Sequence, residues 1–175
     1  MTVDTEQTQG DGAFSGYAEP ERRPPLGSYA VFAGLFNAAV GAGLVAARRT
    51  GHELPERIDN RDLLVTGVAT HKLSRLVAKD KITAFARAPF TEFQEQGGPA
   101  EFEESARGQG MRRAVGELIS CPYCVGLWVS AGFNLGLVAA PRATRFAASV
   151  LTGLTISDFL QIAYKAAEDR GLGGS

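Results

Sequence analysis

Hydrophobic and polar positions are segregated along this chain into three long, nearly uncharged runs separated by polar stretches, and each run has the length of a helix. The first, Tyr29 to Ala47 (YAVFAGLFNAAVGAGLVAA), is about 19 residues without a charge, and Arg48 and Arg49 stop it. That length approaches the ~20 residues a helix needs to cross the hydrocarbon core of a bilayer. Gly34, Gly41 and Gly43 would weaken a water-exposed helix, but they suit close helix packing in lipid. The second run, Leu118 to Ala140, is about 23 residues long and ends at Pro141 and Arg142. The third, Phe146 to Tyr164, holds a single charge, Asp158, and the turn before it is short enough to make the two helices antiparallel neighbours.

Between the first two runs the pattern changes. Ile58 to Lys81 is helical in period, with Leu63, Leu64, Val68, Leu73, Leu76 and Val77 on an apolar side, while His71, Arg75 and Lys79 recur every four residues on another. Cations on one stripe need water, lipid headgroups, or acids brought by other helices. The connector from Lys81 to Arg113 contains Pro89 and Gly97, Gly98, Gly108 and Gly110, which argue against a regular element throughout. Its four phenylalanines, at 85, 90, 93 and 102, predict that part of it packs onto the bundle or the membrane interface.

The expected organisation is a disordered polar tail at 1–27, a helical membrane domain at 28–169 with a long connector near 82–113, and a flexible tail at 170–175. The fold class is all-α: a small integral membrane bundle of three or four helices. Buried helices of a water-soluble all-α domain are the alternative. A mean hydropathy close to zero does not decide between them, because it averages apolar runs with polar tails. A net charge of −1 offers no basic excess for nucleic acid, so the expected partners are the lipid bilayer and other membrane proteins or further copies of the chain. If every helix spans, the side holding both termini and the cysteines carries more Lys and Arg, which predicts a multi-pass protein of the cell membrane with that side cytoplasmic.

Both cysteines lie in ELISCPYCVGLW. On a continuous helix Glu117, Cys121, Cys124 and Trp128 would share one face. Pro122 is better placed in a first helical turn, which puts Cys121 at the cap, where free N–H groups and the helix dipole favour thiolate. Three readings follow. In the first, Cys121 and Cys124 are a redox pair. CPYC is the dithiol of glutaredoxins, which requires a strand before it inside a βαβ sheet, yet MRRAVGELIS looks helical. A helical membrane oxidoreductase linked to quinone fits better and would need a second cysteine pair from a partner. In the second, Cys121, Cys124 and His71 hold zinc, although neither His52 nor His71 belongs to an HxxxH and no second CxxC is present. In the third, the cysteines pack a helix junction, and Glu117 or Asp158 pairs with Arg75 or His71 inside a structural or partner-binding component. No cofactor is predicted outside the zinc and quinone alternatives. The absence of a nucleophile elbow, an HExxH and a phosphate loop leans away from an enzyme.

The ordered set THKLSRLVAKDKIT, RAPFTEF, RRAVGELISCPYCVGLW and SDFLQ resembles a family of bacterial membrane proteins, domain of unknown function 1360, which includes sporulation proteins of the YjcA type. The resemblance runs from about Tyr29 to Ala167. It implies a small multi-pass membrane protein and no particular reaction. Residues matching the motifs are His71, Lys72, Arg75, Lys79, Asp80, Arg87, Pro89, Phe90, Glu117, Cys121, Cys124, Trp128, Asp158 and Gln161. Of these, His71, Arg75, Lys79, Asp80, Arg87, Glu117, Asp158 and Gln161, with the two cysteines, are expected to form a polar cluster near one membrane face.

Overall fold

The computed structural model describes residues 16–19 and 23–172. In order, the chain forms α1 (Leu26–Arg49), α2 (Asn60–Ala78), a 3-10 turn (Lys81–Thr83) running into the one-turn α3 (Ala84–Arg87), strands β1 (Thr91–Gln96) and β2 (Phe102–Ala106), α4 (Gly110–Ser120), α5 (Pro122–Ala139) and α6 (Pro141–Leu172). The architecture is that of an all-α membrane bundle. Most of the tail expected at 1–27 lies outside the described residues, and α1 has already begun at Leu26. At the other end α6 continues to Leu172, into the tail expected at 170–175, and near its end Lys165 pairs with Asp169 one turn on at 2.9 Å.

Local chemistry sets the element boundaries. The Asp59 carboxylate accepts from the Arg61 N–H at 2.7 Å and caps α2. Pro122 and Pro141 open α5 and α6, the position where a missing N–H costs nothing.

α2 is the central helix, packed chiefly on α5 and α6. Ala69 and Ala148 are fully buried where α2 meets α6, together with Phe133 of α5. Polar contacts reinforce that seam: Arg145 pairs with Asp62 at 2.7 Å, and the Thr152 hydroxyl donates to the Val65 carbonyl at 2.9 Å. Small residues in the seam with polar bonds across it are how helices associate in lipid, where apolar burial gives no driving force. α1 lies on the outside against α5. Phe36 meets Trp128 edge-on at 5.2 Å, and Gly43 leaves room for Leu135.

These pairings make α2 parallel to α6, with α1 and α5 running the other way. One end of the bundle therefore gathers the start of α1, the end of α2, the hairpin, α4, the start of α5 and the C-terminal part of α6.

α1, α5 and α6 are each long and apolar enough to cross a membrane, and α2 is not among them. Only between 6% and 11% of their apolar windows is buried in the protein. Leu35, Val45, Leu127, Val150, Phe159 and Ile162 all point outward. A water-soluble domain would have turned these side chains inward, because contiguous apolar surface of this extent is not tolerated in water.

The connector differs from its expectation of irregularity. It folds into an antiparallel hairpin with a bulge between Phe93 and Glu95, and Phe93 and Phe102 stack edge-on at 5.2 Å. The glycines fall at the turn and after β2, not inside the strands, so they delimit the hairpin instead of preventing it. With α4, the helix count exceeds the three or four expected.

Candidate functional site

Arg75 in the last turn of α2 and Lys79, the residue just past its end, stand about 6 Å apart along the helix axis at 1.5 Å per residue. Glu101 and Glu103 stand two residues apart at the start of β2, about 6.6 Å along an extended chain. The two spacings match, and the hairpin docks across the helix through both. Arg75 grips Glu101 with two bonds, at 2.5 and 3.0 Å, and Lys79 meets Glu103 at 2.7 Å. The chain leaving α2 then runs beside β2 as a short extra strand: the Phe102 N–H donates to the Lys79 carbonyl and the Lys81 N–H to the Ala100 carbonyl, both at 2.9 Å. Asp80, within this stretch, caps the 3-10 turn by accepting from the Ile82 N–H at 3.0 Å.

Arg87 closes the structure from inside. Its Nη1 donates to the Val77 and Asp80 carbonyls at 2.8 and 3.1 Å and to the Thr83 hydroxyl at 2.6 Å. Its Nε donates to Glu104. The last carbonyls of a helix have no partner of their own, and the dipole there favours a cation, so this guanidinium serves as the C-terminal cap of α2.

α4 packs beneath β2, with Gly116 so close to the Phe90 carbonyl and Ala106 that a Cβ would come within 2.9 Å of the Ala106 Cβ. On the next turn-face Glu117 accepts from Arg113 Nε at 2.8 Å and from the Tyr29 hydroxyl, tying α4 to α1. Cys121 then caps α5, its Sγ accepting from the Cys124 N–H at 3.3 Å. Both thiols are free; Cys121 is half-buried and Cys124 exposed. Burial pushes the Cys121 thiol up. The neighbouring Cys124 thiol, the N–H groups of Cys124 and Tyr123 and the Lys79 ammonium outweigh it, and the net shift is downward. α4 precedes the motif and α5 follows it, so the strand that a glutaredoxin places before its dithiol is a helix here.

The expected polar cluster is divided. Lys79, Glu117, Cys121 and Cys124 are brought to one end of the bundle. Arg75, Lys79, Asp80 and Arg87 bind the hairpin. Asp158 pairs with Lys72 at 2.6 Å across the seam between α2 and α6. His71 is exposed on the outer face of α2, and Gln161 donates to the Ser157 hydroxyl at 3.3 Å. The expected pairing of Glu117 or Asp158 with Arg75 or His71 is thus corrected: the acids opposite the α2 stripe come from the hairpin. Among the described residues no three His, Cys, Asp or Glu side chains converge as a metal site, so Cys121, Cys124 and His71 do not form one.

Glu101, Glu103, Glu104, Tyr29 and Arg113 were not singled out from the sequence. Alternation in AEFEESA, with Glu101 and Glu103 in step, was the trace of the hairpin face that meets α2.

The profile of a family described as "Protein of unknown function (DUF1360)" matches residues 65–164, from the middle of α2 to the C-terminal part of α6. The chain belongs to this family. Among curated proteins it is similar to "Sporulation protein YjcA" of Bacillus subtilis (strain 168), 30% identical over 92 residues, covering 51% of this chain and 78% of the relative. It is also similar to "UPF0713 protein YngL" of the same organism, 28% identical over 90 residues, covering 50% of this chain and 65% of the relative. No solved structure matches significantly. The matched region contains every part of the docked hairpin, the Cys121–Cys124 motif and the Lys72–Asp158 pair, whereas α1 lies outside it.

Proposed function

We propose that this protein is a multi-pass membrane component that binds a partner helix within the bilayer, along the seam between α2 and α6. The observation that carries the reading is the depth and exposure of Asp158. From Arg145 to Lys165, α6 rises about 30 Å, the thickness of a hydrocarbon core. Asp158 lies seven residues short of Lys165, about 10 Å inside that boundary. Its side chain is nonetheless 40% exposed. Gln161 and His71, at nearby levels, are exposed too. Polar groups facing hydrocarbon are costly and need protein or water against them. A polar helix from another membrane protein, or from a second copy, supplies that cover. The Lys and Arg excess at the end bearing the hairpin and the cysteines supports a cytoplasmic position for it.

The test is a photo-crosslinking amino acid at Gln161 in intact cells, with one at Leu35 of α1 as the lipid-facing reference. Adducts of discrete protein mass at 161 alone are expected, and Asp158→Leu should abolish them. Lipid adducts at both positions would defeat the reading.

A second reading, thiol–disulfide exchange, is favoured by one observation: Cys121 caps α5 with its sulfur accepting an amide and its acidity increased. Attack by the Cys121 thiolate on a partner's disulfide and resolution by Cys124 would oxidise this pair and reduce the partner, two electrons and two protons passing across. Alkylation of the thiols in intact cells, before and after an oxidant, tests it. If Cys121→Ser and Cys124→Ser leave abundance and phenotype unchanged, this reading fails and the first stands.

A further inference from the structure

The turn between α2 and the hairpin is built inside out. Residues 82–90 read ITAFARAPF, and their one charge, Arg87, is 2% exposed. Thr83 also points inward, its hydroxyl donating to the Leu76 carbonyl at 2.5 Å. The outward side is apolar: Ile82 is 72% and Phe85 81% exposed, with Ala86, Ala88 and Pro89 beside them. Three residues apart in consecutive helical turns, Ile82 and Phe85 share one face. A turn bathed in water would place the guanidinium outside and the phenyl ring inside. Here the capping of α2 by Arg87, the Asp80 cap and the Arg112 bonds to the Pro89 carbonyl at 2.7 and 3.1 Å hold the opposite arrangement rigid.

The level of this turn can be read from the helices. Asp62 of α2 is paired with Arg145 of α6, so the two helices share a starting height. Sixteen residues further, about 24 Å, α2 ends at Ala78, and α6 reaches Lys165 about 30 Å on, so the turn that follows α2 begins within about 6 Å of the level of Lys165. Exposed Tyr164 precedes Lys165, and Tyr29 and Tyr123 open α1 and α5 at the same end. All three tyrosines of the helices thus ring one end of the bundle, as amphipathic aromatics do at a bilayer boundary.

We infer that the turn at 82–90 is an interfacial membrane anchor, with Ile82 and Phe85 inserted at the headgroup–acyl boundary of the leaflet at the hairpin end. The occupant of this apolar face is lipid, continuous with the lipid around α1, α5 and α6, and the inference rests on the membrane-spanning reading of those helices. The anchor fixes the hairpin and the thiol end against the membrane surface instead of leaving them free above it.

The chain has a single tryptophan, Trp128, which makes the test direct. In a Trp128→Phe background, single tryptophans are placed at Phe85, Ile82, Leu35 and Glu95, and the full chain is reconstituted in phosphatidylcholine vesicles brominated on the acyl chains. Tryptophan at 85 and at 82 should lose most of its emission to bromine and little to aqueous acrylamide. Position 35 should behave the same way, and position 95 on β1 the reverse. Acrylamide quenching at 82 and 85 with bromine quenching kept at 35 would overturn the anchor and leave the spanning helices standing. Acrylamide quenching at all four would overturn both. Shielding of 82 and 85 from both quenchers would mean that protein covers the turn, and would overturn the anchor as well.

Discussion

Arg87 and Glu104 face each other where the turn after α2 meets β2, with 2% and 6% of their side chains exposed. A pair this enclosed gains little over apolar packing when intact, but removing one member leaves a buried charge uncompensated, at a cost of about 3–5 kcal/mol. Glu104→Leu should therefore lower the thermal midpoint of the detergent-solubilised protein sharply. Arg87→Met should lower it at least as far, because the Val77 carbonyl loses its close donor and the Asp80 carbonyl is left with Thr83 alone. The double replacement should recover only part of the loss. Full recovery, read by near-ultraviolet circular dichroism during heating, would show that Arg87 is not the cap of α2.

Gly116 makes a different kind of contact. An added methyl would enter the space of the Phe90 carbonyl and Ala106 backbone and side chain, none of which is a flexible side-chain end. Gly116→Ala should force α4 off β2 at a cost of about 1–3 kcal/mol. Limited trypsinolysis should report it, with faster cleavage at Arg107 and Arg112 and no change in cuts outside the hairpin region. Gly34, where nothing stands within 4 Å of an added Cβ, is the matched control.

These contacts show which parts of the fold were legible in the sequence. Uncharged runs at helical length expose α1, α5 and α6, because lipid solvation demands the same property of every outward residue. Pro122 placed the start of α5 and Cys121 at its cap for a local steric reason. The hairpin was hidden because its strands are short, polar and interrupted by a bulge, and they dock on α2 through ion pairs instead of a continuous apolar face. Arg75 and Lys79 announced that acids were needed, but the partners lie 24 to 26 residues away, and no local period encodes that distance. Lys72 was among the motif matches but not among the cluster residues, because only contact with α6 distinguishes it from its neighbours His71 and Arg75.

The acidity of Cys121 gives a pH prediction. Alkylation follows the thiolate, and a lowered pKa keeps thiolate present to lower pH. In Cys124→Ala the rate of modification at Cys121 should rise through its midpoint at higher pH than in the parent chain, since the neighbouring thiol no longer donates to the thiolate. Lys79→Gln should move it upward by a smaller amount, by removing the nearby ammonium. Rates with iodoacetamide from pH 6 to 10, resolved by peptide mass, check both, and a downward movement in either would contradict the assigned causes.

Lys72 and Asp158 provide the sharpest test of how α2 is held in the bundle. Lys72 is 16% exposed and Asp158 40%, so the pair is neither solvated by water nor fully enclosed. Replacing Lys72 with Met leaves a carboxylate facing hydrocarbon, and replacing Asp158 with Leu leaves an ammonium against apolar helix surface; each is a penalty of several kcal/mol. Replacing both removes two charges from lipid and restores a seam already built around Ala69 and Ala148. The double variant should therefore accumulate in membranes at nearer the parent level than either single variant, because abundance tracks the stability of the assembled helices. It should also lose crosslinking at Gln161 if the partner reads the charge of Asp158, which separates the structural role of the pair from its role in recognition. Double-variant abundance no higher than the worse single would mean that the two side chains act independently.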